Sequence, residues 1–276
     1  MKRGCLKSKS AQISIFIILA VVVLIIIGIF FYIKSSFNIE NFNKFRLNNV
    51  EKSIVDCVEQ TSFEALDVIG VQGGYYNKPD KAYELNRTFV PYYYYEGEYF
   101  MPSKEDIEKE LGFYVDDNLN ECLDRIDIES FELFYEVPKS FVLIKEDDVN
   151  FKVDMQIEVV KDSEQSVFEL KEFPVNIKSK LKDILEVVDY YIYFHKQNPA
   201  RYCVNCLGEL AEEKELYVDI VAVDDNSEFF IVSDDLTSEE VYSFEFLNKY
   251  TGEEVDVVNL VGGENNLPES PVGVEG

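Results

Sequence analysis

Hydrophobic positions along the chain follow three rhythms. The first is an unbroken apolar run, Ile13 to Ile33, reading ISIFIILAVVVLIIIGIFFYI with no charged residue. At 1.5 Å of rise per residue it makes a helix of about 31 Å, the hydrocarbon thickness of a bilayer. Backbone groups in lipid must be satisfied within the segment, so the run predicts a transmembrane helix. A buried core helix is the alternative, but soluble helices keep a polar face. A cleaved secretory signal is another. Its apolar part is shorter, and no small-x-small site follows Ile33, where the chain reads Lys34-Ser35-Ser36. Retention as an anchor is the expectation.

The second rhythm has steps of three and four. Leu47, Val50, Ile54, Cys57 and Val58, extended by Leu66 and Ile69, predict an amphipathic helix of about 25 residues, an outward continuation of the anchor. Gly70 and the Gln72-Gly73-Gly74 turn should stop it. Pro102-Ser103, with Asp106 completing a capping pair, should start a short helix that buries Ile107 and Leu111. Leu119, Cys122, Leu123 and Ile126 mark a second short helix. Leu181, Ile184, Leu185, Val188 and Ile192 mark a third.

The third rhythm has period two. Phe151, Val153, Met155, Ile157 and Val159 alternate with Lys152, Asp154, Gln156 and Glu158, which predicts one strand with a buried and a wet face. Ser140 to Ile144 and Ser166 to Phe173 should pair with it as an antiparallel meander. Val90 to Phe100 reads as a hairpin turning at Glu96-Gly97. Leu216 to Val223, Phe229 to Val232 and Val241 to Leu247 read as further strands. The fold class is therefore α+β, with mainly antiparallel sheet and a few helices. The organisation is a basic leader at 1–11, an anchor at 12–34, a helical and Tyr-rich part at 35–128, an antiparallel part at 129–250 and a flexible tail at 251–276. From Gly262 that tail is rich in Gly, Pro, Glu and Asn.

Charge orients the chain. Lys2, Arg3, Lys7 and Lys9 precede the apolar run and no acid does, which puts the N-terminus in the cytoplasm. The whole chain has 26 Lys and Arg against 53 Asp and Glu, net −27, and every acid lies beyond Lys34. The part expected outside is more acidic still. Such a surface excludes nucleic-acid binding, which needs a basic footprint. Lipid through residues 13–33 is the expected partner, with other surface proteins or copies of the chain beside it.

The junction Lys9-Ser10-Ala11-Gln12-Ile13-Ser14-Ile15-Phe16 resembles the class III, prepilin-type signal of archaeal pilin-like surface proteins. The resemblance implies cleavage between Ala11 and Gln12 on the cytoplasmic side, with the helix kept. Ser10 stands where that family has a basic residue, and Phe16 stands where it often has Glu. The resemblance therefore speaks for processing more than for filament assembly. Cys57, Gln72-Gly73-Gly74-Tyr75, the tyrosine run and Cys122 also resemble single-span surface proteins of small-genome archaea, a likeness that brings no activity with it.

Cys57, Cys122, Cys203 and Cys206 lie on the expected outer side, an even number that allows three pairings. Cys57 and Cys122 both fall on apolar helix faces and Cys203-x-x-Cys206 can close on itself, so Cys57–Cys122 with Cys203–Cys206 is favoured. A redox site or a metal site are the alternatives for Cys203 and Cys206. A structural zinc needs two further ligands, and no second CxxC exists.

Asn86-Arg87-Thr88 is an N-glycosylation sequon. Tyr92 to Tyr95 reads either as a recognition patch or as a strand with two rings in the core and two outside. Asp116-Asp117, Asp147-Asp148, Asp224-Asp225 and Asp234-Asp235 read as solvated turns. Asp224-x-Asn226-x-Glu228 holds part of a calcium-loop spacing without its glycine or distal Glu. His195, the single histidine, is expected at a helix end or on the surface. No P-loop, GxSxG or HExxH occurs, and no catalytic residue, cofactor or metal is expected. The leading expectation is a non-enzymatic, membrane-anchored surface protein with a structural, adhesion or interaction role, possible pilin assembly being one form of it. An extracytoplasmic ligand- or cation-binding subunit comes next, then a membrane-tethered hydrolase using paired carboxylates.

Overall fold

The computed structural model of the protein describes residues 49–126, 131–161, 164–197, 204–234 and 241–251. The apolar run 13–33, the Ala11–Gln12 junction, Cys203 and the tail beyond Thr251 lie outside the described residues. The chain divides into two units, Met1–Ser53 and Ile54–Gly276. Residues 49–53 of the first are helical.

In chain order, helix α1 (54–71) leads to strands β1 (Ala82–Leu85), β2 (Thr88–Tyr95) and β3 (Glu98–Tyr99), then helix α2 (Lys104–Leu123). Strands β4 (Glu132–Tyr135), β5 (Lys139–Ile144), β6 (Asp148–Asp154), β7 (Gln156–Lys161), β8 (Glu164–Glu169) and β9 (Val175–Lys178) follow. Helices α3 (Leu181–Gln197) and α4 (Val204–Glu213) precede β10 (Tyr217–Asp224), β11 (Ser227–Ser233) and β12 (Ser243–Lys249). The fold is α+β and mostly antiparallel. Among the described residues, no helix is long and apolar enough to cross a membrane.

Helix α1 ends where its glycines dictate. Gly74 N–H donates to Ile69 O at 2.8 Å and Gly73 N–H to Gly70 O at 3.0 Å, the paired bonds of a Schellman turn. Gly73 carries the left-handed φ of 52° which that turn requires.

The sheet order β1-β2-β12-β11-β10, with β3 on β2, joins the Tyr-rich part to the end of the chain. The stretches read as 35–128 and 129–250 thus share one sheet. All its pairings are antiparallel except β2 with β12. In that parallel pair Leu247 faces Tyr92 but Asn248 faces Tyr94, so Tyr93 is an extra, bulged residue. The bulge breaks the expected alternation. Tyr93 and Tyr94 are both buried, while Tyr92 and Tyr95 are half-buried.

The predicted strand 151–159 is interrupted at Met155, giving β6 and β7. Its alternation runs through the break, and Phe151, Val153, Met155, Ile157 and Val159 are all buried. The predicted partners are in place, with Ser140 opposite Val153 and Ser166 opposite Val159. The single meander expected around this strand is instead two three-stranded antiparallel sheets, β4-β7-β8 and β5-β6-β9, with β7 and β6 as their middle strands, because the ladder is interrupted at Met155.

The two short helices expected near Ile107 and Leu119 are one helix of 20 residues, α2. Val115 supplies the missing step: Ile107, Leu111, Val115, Leu119 and Leu123 recur every fourth residue, and all are buried. Ser103 caps the helix, its Oγ accepting from Asp106 N–H at 3.2 Å. Helix α2 lies along the outer edge of β5. Asp116 Oδ1 accepts from Ser140 N–H at 2.7 Å and Glu108 Oε1 from Ile144 N–H at 2.8 Å. Between them, a Cβ on Gly112 would stand 3.2 Å from Ser140 O, so the glycine sets the close approach.

Candidate functional site

The most concentrated polar chemistry is inside the molecule. His195 was expected at a helix end or the surface; it is in the last turn of α3 and fully buried. The reason is the face it occupies, four residues beyond Tyr191 and three beyond Ile192, both in the core. Its ring meets Tyr94 edge-on at 4.7 Å and shares a 2.8 Å hydrogen bond from Nδ1 to Tyr99 Oη. Beside it, Asn248 Oδ1 accepts from Tyr94 N–H at 3.1 Å and Asn248 Nδ2 donates to Tyr191 Oη at 2.6 Å. Tyr250 Oη donates to Glu228 Oε2 at 2.9 Å. Burial, and then Glu228, push the Tyr250 hydroxyl far above the ordinary tyrosine range. Phe246 stacks on Phe230 at 4.9 Å and on Tyr93 at 4.5 Å. These hydrogen bonds and ring contacts join α3, β2, β11 and β12. With its histidine sealed from solvent, the cluster is suited to fixing a core rather than to turning over a substrate.

The predicted site residues fall in separate places. Cys57 of α1 and Cys122 of α2 form a disulfide with Cα atoms 5.7 Å apart. Cys206 is also disulfide-bonded; it sits in α4, a helix the sequence reading missed although Leu207, Leu210 and Ala211 mark its face. Asn86 is exposed at the β1–β2 turn with φ 54°. Ala11, Gln12 and Cys203 lie outside the described residues.

The acidic pairs have local tasks. Asp116 caps β5, Asp148 pairs with Lys145 at 3.2 Å, and Asp224 Oδ1 accepts from Asn226 N–H at 2.8 Å. That last bond holds the Asp224 carboxyl below the usual range and spends it on its own turn. Asp234 Oδ1 accepts from Tyr242 N–H at 3.0 Å. Among the described residues, no group of three His, Cys, Asp or Glu is placed to hold a metal ion.

Apolar and charged groups meet in an open concavity beside α1. Phe63, Leu66 and Asp67 of α1 face Ile177 and Lys178 of β9, with Tyr242 at one end, around a cavity of about 160 Å³. A wider depression of about 570 Å³ continues past Asp56, Glu59 and Gln60. Phe63 is 47% exposed there. Asp56, Glu59 and Asp67 supply the α1 side, against Lys178 on the strand. No periodic pattern singles out these residues, because Phe63 falls on the polar side of the α1 stripe. An exposed ring flanked by carboxylates can hold an apolar group that carries positive charge.

In comparisons with known proteins, the chain matches no family model, no curated protein and no solved structure.

Proposed function

We propose that the chain is a membrane-anchored extracytoplasmic surface protein, held by the apolar helix at 13–33, whose acidic α+β part has a structural or interaction role rather than an enzymatic one. The observation that carries this reading is the Cys57–Cys122 bond between α1 and α2. Structural disulfides persist in oxidising compartments and are rare in the cytosol. The 65-residue separation of the two cysteines makes this one a long-range clamp. The acidic surface and the basic leader agree with that placement.

The test is alkylation of intact cells with a membrane-impermeant thiol reagent before and after reduction, followed by mass spectrometry of the mature protein. The reading expects an N-terminus at Gln12, and Cys57 and Cys122 labelled only after reduction. External protease should release the acidic part. A full-length chain in the cytosol with both thiols free would overturn it.

A second reading, a binding subunit, draws on the groove at Phe63. It expects a short Lys- and aromatic-bearing peptide to bind, with Phe63→Ala abolishing the binding. A flat calorimetric titration would remove it.

A further inference from the structure

The chain holds a single Asn-x-Ser/Thr triplet, Asn86-Arg87-Thr88, and the fold puts it at the tip of a hairpin. Leu85 of β1 faces Thr88 of β2, which leaves Asn86 and Arg87 as a two-residue turn. Residues 83–88 are all exposed. Asn86 takes a φ of 54°, a left-handed value that asparagine adopts more readily than most side chains. A glycine would serve the turn as well. What the triplet adds is a side-chain amide with a hydroxyl two residues further on.

Four other asparagines spend their amides on the fold. Asn77 Nδ2 donates to Glu110 Oε2 at 3.2 Å, Asn118 Nδ2 to Tyr114 O at 2.8 Å, Asn150 Nδ2 to Asn176 Oδ1 at 2.8 Å and Asn248 Nδ2 to Tyr191 Oη at 2.6 Å. Among the described residues the Asn86 side chain bonds to nothing. Thr88 Oγ1 accepts from Gln72 Nε2 at 3.0 Å and keeps its own proton to donate. The tip also carries apolar surface. Tyr83 and Leu85 are 49% and 46% exposed, on one face of β1, which ends the larger sheet. Such an edge invites pairing with another chain. A bulky hydrophilic group at its turn keeps other chains away.

We propose that Asn86 is N-glycosylated, taking its glycan from a polyprenyl-phosphate-linked oligosaccharide on the outer side of the membrane. Asn86 Nδ2 attacks the anomeric carbon of the first sugar. The N–C1 bond forms, the C1–O bond to phosphate breaks, and the polyprenyl phosphate leaves as the amide gives up one proton. Nothing is oxidised or reduced. Because donor and transfer are external, the inference rests on the extracytoplasmic placement proposed above.

The test is mass spectrometry of the protein purified from its own cells and digested with trypsin. Cleavage after Lys81 and Arg87 isolates residues 82–87, or 82–104 where the sugar shields Arg87. That peptide should be heavier by a sugar chain and should shed one monosaccharide mass after another on collisional activation. Asn86→Gln and Thr88→Ala should remove the increment and Thr88→Ser should keep it, all three retaining the Cys57–Cys122 bond as the sign of a folded chain. The bare mass at residues 82–87, in protein whose Cys57–Cys122 bond is formed and which external protease releases, would overturn the proposal and leave the placement standing. An increment that survives Thr88→Ala would overturn it too, since the triplet would not be what is read. A reduced chain in the cytosol would overturn the placement, and the glycan with it.

Discussion

Two sheet edges in this molecule are treated in opposite ways. The β5 edge is closed by a helix. Glu108, Gly112 and Asp116 stand every fourth residue on α2; the two carboxylates take up edge N–H groups of β5, and the glycine lets the helix come close enough for them to do so. The β10 edge has Tyr217, Val221 and Val223 beside it and, among the described residues, no covering strand. A carboxylate can stand in for a missing strand because an edge N–H needs only an acceptor, and an ionised one bonds more strongly than a carbonyl. What it cannot supply is the apolar cross-strand contact that residues such as Val221 would gain from a neighbour. The two edges show which half of strand pairing a helix can replace.

The largest test of the closed edge removes the clamp on its cover. Cys57→Ser with Cys122→Ser releases α2 from α1. Loop-closure entropy for a separation of this length puts the loss at about 4 kcal/mol. Chemical denaturation should show it as a lower midpoint, and exchange at the Ser140 and Ile144 amides should accelerate with it. Unchanged exchange at those two amides would mean that α2 stays on β5 without the disulfide.

Gly112→Leu comes next. It drives a side chain against the Ser140 carbonyl and should cost about 1–3 kcal/mol by overpacking, more than the gain in helix propensity returns. A variant as stable as the parent would show that α2 can shift outward without losing its carboxylate bonds.

Asp116 tests the edge through chemistry. Asp116→Ala leaves the Ser140 N–H without its acceptor and should cost about 1–3 kcal/mol, whereas Asp116→Asn keeps an acceptor and should cost less. Burial raises the Asp116 carboxyl above its ordinary value, against the hydrogen bonds from Ser140. Burial does the same for Asp189 and Glu245. A carboxyl with a raised folded pKa binds its proton more tightly in the folded state. Its contribution is full below the unfolded pKa and is lost as pH rises through the folded one. The melting temperature should therefore climb as pH falls from neutral toward the carboxylate range, helped by relief of the −27 net charge. Asp116→Asn should flatten that climb, and an unchanged slope would place the effect in the other two groups.

How much of this was legible beforehand follows from how local each cause is. The alternation from Phe151 to Val159 is written residue by residue, and so were the strand faces and the partners at Ser140 and Ser166. The turn at Glu96-Gly97 was equally plain, since both residues take positive φ. The break at Met155 was not, because hydrophobic period carries no mark of where a ladder is interrupted. The burial of His195 depends on β2 meeting β12 more than a hundred residues away, and the bulge at Tyr93 depends on the same pairing. A tyrosine run reads alike whether its rings alternate or not. Helix α4 is less legible for a different reason: it is only ten residues long, with Gly208 inside it, so its apolar stripe is short. In the groove, Phe63 carries no signal by itself, since scattered exposed apolar residues are ordinary.

The smallest effect separates the edges most sharply. Val221→Thr keeps the β-branched shape and exchanges a methyl for a hydroxyl at a half-exposed position. Among the described residues no strand faces Val221 from outside the β10 edge, so the change should stay within about 0.5 kcal/mol in chemical denaturation, as exposed substitutions do. A cost near about 1 kcal/mol would mean that Val221 makes a cross-strand contact beyond that edge, and that the two edges are closed alike.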